Sequence, residues 1–157
     1  MKIKNRHKLR KKEAKEFIEK IEKKLGCKIE GEIEIADYKG IKLIFINYKL
    51  HGLIYKNEPF LNVEGIRKYG ANKKYVVVDN GAVKHILNGA DIMVPGIIYV
   101  DKGIKKGDLV WIRDERGLPV AIGEAIMDGE QMLKAKKGKA IINIHYIGDE
   151  IWKLSKK

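Results

Sequence analysis

The sequence has very little cysteine and no long hydrophobic run. Cys27 is its only cysteine, which excludes a disulfide or a thiolate metal cluster within one chain and is typical of a reducing compartment. No apolar stretch approaches the roughly 20 residues that span a bilayer, and the basic N-terminus lacks the apolar core of a signal peptide. We therefore expect a cytoplasmic protein that does not bind membranes.

The motifs of common enzyme classes are missing as well. There is no phosphate-cradling loop ending in Gly-Lys-Ser or Gly-Lys-Thr, no Gly-x-Ser-x-Gly elbow, and no Cys-x-x-Cys or His-x-x-x-His pair. The histidines at positions 7, 51, 85 and 145 are scattered. Asp79 and Asp91 are explained most simply by turn and capping roles. These absences predict a protein that is not an enzyme and that holds no metal or cofactor.

Positive charge, by contrast, is abundant. Lysine and arginine total 33 against 21 acidic residues, which gives a formal net charge of +12. Such an excess favours a polyanionic partner, because cations that neutralise phosphates release condensed counterions. Nucleic acid is the leading candidate and an anionic membrane surface the second. A thermophile-like composition, in which charges only decorate the surface, is the alternative.

The first half of the chain predicts a small α+β domain. Residues 1–12 are dense in lysine and arginine and predict a mobile basic arm. Residues 13–25 have apolar positions at helical spacing, with Glu16–Lys20 and Glu19–Lys23 placed to pair. Strands are expected at 29–35, 43–46 and 53–55, with a hairpin near 49–52, and a helix at 62–69 capped by Asn62 and closed by Gly70. This domain spans residues 13–74.

The second half changes to short strands punctuated by glycine. Strands are expected at 75–78, 97–100, 109–113, 120–125 and 140–146, with helices at 82–87 and from Asp128, whose spacing to Gln131 fits a capping box. This spacing predicts a small barrel over residues 75–157. The overall fold class is therefore α+β.

The stretch VVVDNGAVKHILNGADIMVPGI, residues 76–97, is the most informative part of the chain. A strand, a tight turn and a helix start follow one another, so unpaired N–H groups near Gly81 and Ala82 are placed to face a phosphate. Lys84 adds a charge, and Pro95-Gly96 supplies a second backbone edge. Taken singly, Gly81 and Gly89 are explained more simply by turn geometry.

This string resembles the opening of the PUA domain, named for pseudouridine synthases and archaeosine transglycosylases. The later segments GDLV (107–110), AIGEA (121–125), GKA (138–140) and HYIGDEIW (145–152) are similar to that domain's later strands. The resemblance implies a pseudo-barrel of mostly antiparallel strands that binds structured RNA. The RNA face that it implies consists of Gly81, Ala82, Lys84, Pro95, Gly96, His145 and Tyr146. A half-buried barrel tyrosine is the alternative role for Tyr146.

The upstream half resembles the pre-PUA region of the malignant T-cell amplified sequence proteins, through Pro59-Phe60 and Lys68-Tyr69-Gly70. The resemblance implies association with translation, with rRNA or tRNA as the RNA and a protein bearing an initiation-factor-like domain as a partner. Three alternatives stay open. They are an RNA-binding accessory subunit of an RNA-modifying enzyme, a ribosome-biogenesis factor, and an enzyme with an active site hidden in the first 74 residues.

Overall fold

A computed structural model describes residues 2–157 of the chain. In the N-terminal half, five antiparallel strands form a sheet in the order β1-β2-β3-β4-β5, with a helix before β2 and another after β5. The elements are β1 (Lys4–Lys8), α1 (Lys11–Leu25), β2 (Ile33–Tyr38), β3 (Ile41–Ile46), β4 (Lys49–Tyr55), β5 (Glu58–Leu61) and α2 (Val63–Tyr69).

The prediction of a mobile basic arm over residues 1–12 is wrong for residues 4–8, which form β1 and pair antiparallel with β2. All side chains of β1 are exposed, so burial does not hold it. Arg6 instead donates two hydrogen bonds to Glu34 at 3.0 and 3.1 Å, and its guanidinium lies 3.8 Å from the ring centroid of Phe45. Cross-strand charge pairing and stacking therefore replace the missing apolar face.

The hairpin predicted near residues 49–52 is displaced, because the turn lies at Asn47 and Tyr48. Both have positive φ, 51° and 70°, which matches the two-residue turn that suits the twist of a hairpin. The Asn47 side chain accepts a hydrogen bond from Glu32 N–H and donates one to Glu30 O, so it also fixes the start of β2. The predicted helix at 62–69 is confirmed, with Asn62 as its cap and Gly70 at its end.

The C-terminal half forms a second sheet with the strand order β7-β11-β10-β9-β6-β8 within residues 2–157. Only β6 and β9 of this sheet run parallel, whereas its other neighbouring strands are antiparallel. The elements are β6 (Tyr75–Val78), α3 (Asn80–Ile86), β7 (Ile92–Met93), a 3-10 turn (Val94–Gly96), β8 (Ile97–Val100), β9 (Leu109–Arg113), β10 (Pro119–Ala125), α4 (Gly129–Lys134), β11 (Lys139–Tyr146) and α5 (Glu150–Ser155).

This pseudo-barrel confirms the predicted α+β class. Asp128 does precede α4, but the predicted capping box does not form, because its carboxylate accepts a hydrogen bond from Lys106 N–H instead. None of the helices between residues 2 and 157 combines the length and the apolar character that a membrane crossing requires.

One hydrophobic core joins the two halves. Ile21 and Leu25 of α1 belong to the same buried cluster as Trp111 of β9 and Ile122 of β10. A second buried cluster fills the pseudo-barrel. The indole Nε1 of Trp111 also donates a hydrogen bond to Lys73 O at 2.8 Å, which fixes the connection between the halves.

Candidate nucleic-acid interface

Asp79 connects the end of β6 to the start of α3. Its carboxylate accepts a hydrogen bond from Ala82 N–H at 2.8 Å, and its own N–H donates to Gly96 O at 2.9 Å. The first turn of α3 is therefore held beside the turn Val94–Gly96. The Ala82 N–H was expected to be unpaired, and this expectation is wrong because the aspartate cap already occupies it.

The structure brings four of the predicted RNA-binding residues to one open cavity of about 460 Å³. Gly81 and Ala82 line it from α3, while Pro95 and Gly96 line it from the facing turn. The remaining walls come from Asp79, His85, Ile86, Ala90, Asp91, Ile92 and Met93. The cavity combines exposed backbone with an apolar floor, which is the kind of surface that admits a sugar–phosphate backbone.

The glycines of this cavity have different constraints. A Cβ on Gly96 would lie 2.9 Å from the Cβ of Ala82, so glycine is needed there to let the turn approach α3. A Cβ on Gly81 would meet only the Asp79 carboxylate, at 3.4 Å. Gly81 therefore leaves open space at the surface, whereas the missing side chain of Gly96 lets the 94–96 turn lie close to α3.

Lys84 lies on α3 but outside the cavity wall. Its side chain is exposed and has no carboxylate within 4.0 Å anywhere in residues 2–157. An unpaired ammonium at the margin of an open cavity is available to a phosphate.

Three further lysines, which the sequence analysis did not assign to the site, lie on a segment beside the cavity. Val94 N–H donates a hydrogen bond to Gly138 O at 2.8 Å, which sets the loop carrying Lys136, Lys137 and Lys139 beside the 94–96 turn. Lys139 pairs with Asp91 at 2.8 Å, and this contact lowers the pKa of the Asp91 carboxyl. The sequence does show the run of lysines around Gly138, but it does not show that this run lies beside the 94–96 turn.

Asn143 on β11 anchors the segment that follows α3. Its Nδ2 donates to Ile86 O at 3.1 Å and to Ala90 O at 2.9 Å, and its N–H donates to Asp91 Oδ1 at 2.8 Å. These bonds hold the loop from Ile86 to Asp91 against the barrel. One wall of the cavity is therefore fixed to β11 by three hydrogen bonds.

His145 does not lie on the RNA face, and its prediction as an RNA-binding residue is wrong. The side chain is fully buried. Its Nε2 accepts a hydrogen bond from Val63 N–H at 3.2 Å, and its Nδ1 bonds the Asp149 carboxylate at 2.9 Å. Both ring nitrogens therefore serve to join α2, β11 and α5, and neither is open to a ligand.

Tyr146 lies beyond the other end of α3 and does not line the cavity. It is partly buried and packs against the barrel core. Gly89, with a φ of 91°, passes close to it, since a Cβ there would be 3.2 Å from the Tyr146 hydroxyl. Its role in RNA binding stays a prediction. No group of three or more His, Cys, Asp or Glu side chains within residues 2–157 is arranged to hold a metal.

The fold and this cavity define a PUA-type domain, the RNA-binding class that the sequence resembles. The PUA domain family matches residues 74–147, and a domain of unknown function, DUF1947, matches residues 5–61. Translation machinery-associated protein 20 of Saccharomyces cerevisiae is 31% identical over 135 residues, which cover 82% of this chain and 70% of that protein. The chain therefore belongs to the family of translation machinery-associated protein 20, as the resemblance implied.

Two relatives match almost the whole length of the chain. An uncharacterized protein of Methanocaldococcus jannaschii is 39% identical over 162 residues, covering 97% of this chain and 98% of the relative. The crystal structure of a hypothetical protein from Pyrococcus horikoshii superimposes with a TM-score of 0.83 at 36% identity, covering 96% of this chain and 99% of that one. Both halves are therefore found together in these relatives.

Proposed function

We propose that this protein binds structured RNA, either rRNA or tRNA, in the cytoplasm as a non-catalytic factor of the translation machinery. The observation that carries the proposal is the cavity between α3 and the 94–96 turn, with the exposed Lys84 on α3 and Lys137 on the loop that is hydrogen-bonded to that turn. Membership of the translation machinery-associated family supports the link to translation. A partner bearing an initiation-factor-like domain is part of the proposal and follows from family resemblance alone.

Phosphates supply most of the binding free energy in this mechanism. The sugar–phosphate backbone enters the cavity at Gly81, where no side chain blocks it, and lies against Pro95 and Gly96. The ammonium groups of Lys84 and Lys137 then donate charge-assisted hydrogen bonds to phosphate oxygens. Selectivity for structured RNA comes from shape and from 2′-hydroxyl contacts, because the site offers no set of side chains that reads base edges.

The direct test compares two single charge reversals on short helices of the barrel. Lys84→Glu changes the proposed site, and Lys153→Glu changes an exposed lysine of α5 that has no ion pair within residues 2–157. Binding to an RNA hairpin with a single-stranded 3′ tail is measured by fluorescence anisotropy over a series of salt concentrations. We expect Lys84→Glu to weaken binding and to reduce the salt slope by about 1, and Lys153→Glu to match the parent. Equal behaviour of the two variants would place RNA elsewhere.

Co-purification from the protein's own cells tests the translation part of the proposal. The tagged protein is captured at moderate salt, and its RNA and proteins are identified. Enrichment of small-subunit rRNA with initiator tRNA supports the proposal. Recovery of one RNA-modifying enzyme with its substrate RNA would instead make the chain an accessory subunit of that enzyme.

A further inference from the structure

A second basic surface lies between the two halves, where α1 ends. One open cleft of about 700 Å³ is lined by Lys20, Lys23, Lys24, Glu58, Lys73, Lys74, Asp101 and Gly103. A smaller cleft of about 320 Å³ shares Lys24, Glu58 and Lys74 with it and continues to Lys106 and Asp108. We call the two together the lysine cleft. Its walls come from α1, the connection before β6, and the loop after β8.

The carboxylates of the lysine cleft are already occupied. Glu58 pairs with Lys24, and Asp108 pairs with the Lys74 ammonium at 2.6 Å. The carboxylate of Asp101 accepts hydrogen bonds from two backbone N–H groups, those of Lys74 at 2.6 Å and Gly103 at 3.1 Å. Glu58 and Asp108 therefore balance the charges of Lys24 and Lys74. The ammonium groups of the other lysines of the cleft have no acidic partner within 4.0 Å in residues 2–157.

Lys20, Lys23, Lys73 and Lys106 are the uncompensated lysines, whose ammonium groups have no carboxylate within 4.0 Å in residues 2–157. The pairs Glu16–Lys20 and Glu19–Lys23, expected from helical spacing, do not form within 4.0 Å in the described part of the chain. The Lys73 ammonium has only a long hydrogen bond, at 3.4 Å, to Lys23 O. Compensation of the helix dipole explains a lysine in the last turn of α1, but it does not explain Lys73 or Lys106, which lie on other segments.

The lysine cleft and the cavity at α3 lie at opposite ends of the strand pair β6 and β8. Lys73 and Lys74 precede β6, and Asp79 follows it. Strand β8 runs antiparallel to β6, from Gly96 at the cavity to Asp101 at the cleft. A strand of this length covers on the order of 13 Å at about 3.3 Å per residue, a distance that a few nucleotides span. Tyr99 lies on β8 between the two sites with 44% of its surface exposed.

We propose that the lysine cleft is a second phosphate-binding site, which holds the sugar–phosphate backbone of the same RNA that enters the α3 cavity. This proposal rests on the proposed function, because it extends one RNA across both halves of the protein. Lys20, Lys23 and Lys73 contact phosphates, and the N-terminal half contributes affinity but no sequence selectivity.

A matched pair of double neutralisations in the full chain tests the proposal. Lys20→Gln with Lys23→Gln removes two charges from the cleft, and glutamine keeps a helix propensity close to that of lysine. Lys15→Gln with Lys28→Gln removes two exposed, unpaired charges outside it, with pairing judged over residues 2–157. The probe is the hairpin RNA with a single-stranded 3′ tail, in parallel with an oligoglutamate peptide. We expect the cleft variant to reduce the salt slope by about 2 and the control to leave it unchanged.

Each outcome separates this proposal from the proposed function. If both double variants bind RNA with the parental slope while Lys84→Glu weakens binding, the cleft proposal is overturned and the α3 site stands. If the cleft variant loses only its affinity for oligoglutamate, the cleft binds an acidic protein segment and the proposal is likewise overturned. If Lys84→Glu is silent but the cleft variant weakens RNA binding, RNA binds at the cleft and the α3 site is wrong.

Discussion

His145 on β11 accepts a hydrogen bond from the backbone N–H of Val63, across the boundary between the two halves. The distance from Nε2 to the Val63 nitrogen is 3.2 Å, and the ring is fully buried. Since Nε2 faces an N–H donor, the ring proton lies on Nδ1 and is donated to Asp149. Burial alone would raise the pKa of Asp149, but hydrogen bonds from His145, Trp152 N–H and Tyr146 N–H outweigh it and lower that pKa.

Replacing His145 should therefore destabilise the whole molecule. His145→Ala leaves the buried Val63 N–H without its acceptor and removes the side-chain donor to the Asp149 carboxylate, which keeps only the N–H groups of Tyr146 and Trp152. We expect the free energy of unfolding to fall by about 3 kcal/mol. Urea denaturation followed by circular dichroism measures this change. His85→Ala, on the exposed face of α3, is the control and should change stability by less than about 0.5 kcal/mol. A similar, small effect of both variants would contradict the bridging role.

Arg6 should hold the edge strand β1 in place. Arg6→Ala removes the two-point contact with Glu34 and the stacking on Phe45, and we expect a loss of about 1 kcal/mol in the free energy of unfolding. Lys4→Ala, on the same strand and without an ion pair in residues 2–157, should cost much less. Amide hydrogen exchange of β1 gives an independent readout, because only Arg6→Ala should speed it. Equal exchange in both variants would argue against this anchor.

The stability of the protein should depend on His51 in weakly acidic solution. Burial lowers the pKa of His51, aided by Lys68 and Lys49 and opposed by Glu64. The unfolded chain then binds the proton more tightly, so the stability that neutral His51 contributes is lost as pH falls from about 6.5 through the lower folded-state pKa. We expect the stability advantage of the parent over His51→Gln to shrink between pH 7.5 and pH 5. The other histidines are present in both proteins, so their contributions cancel in the difference between the two free energies of unfolding. A difference that stays constant between pH 7.5 and pH 5 would refute the expectation.

Two alanine substitutions should separate stability from RNA binding at the α3 cavity. Gly81→Ala places a methyl group at the open surface of a helix, and we expect a gain of about 0.5 kcal/mol in stability with weaker RNA binding. Gly96→Ala forces its methyl against Ala82, and we expect a loss of about 1–2 kcal/mol. Thermal unfolding and anisotropy measure the two quantities. Unchanged RNA affinity in a stable Gly81→Ala protein would show that no phosphate approaches there.

Local signals in the sequence predicted much of the fold. Asn62 and Gly70 bound α2, because a side-chain cap and a terminal glycine with positive φ depend on neighbours within a few residues. The same kind of signal at Asp79 located the start of α3 to within a few residues. The strand β1 escaped prediction because its five side chains are all exposed, so hydrophobic alternation is absent and its acidic partners come from β2.

The candidate site was predicted only in part, for a similar reason. The 76–97 string carries Gly81, Ala82, Pro95 and Gly96 within one short stretch, so resemblance could locate them together. The loop that carries Lys137 is held beside the 94–96 turn by a hydrogen bond between segments more than forty residues apart, which no local pattern shows. His145 was misassigned because the alternation of a strand indicates which face of the sheet a residue lies on, but not whether another element covers that face. Here α2 and α5 cover it.

The shared core limits how this barrel can be reused. Leu109, Trp111 and Ile122 are buried in one cluster with residues of the N-terminal half. A fragment that begins after residue 74 would expose them to water as an apolar patch and should self-associate. A chain that combines the same barrel with a different companion domain must supply another apolar body for that face. The face of the barrel that carries Leu109, Trp111 and Ile122 is therefore specific to its companion domain, whereas the face that carries the α3 cavity does not depend on it.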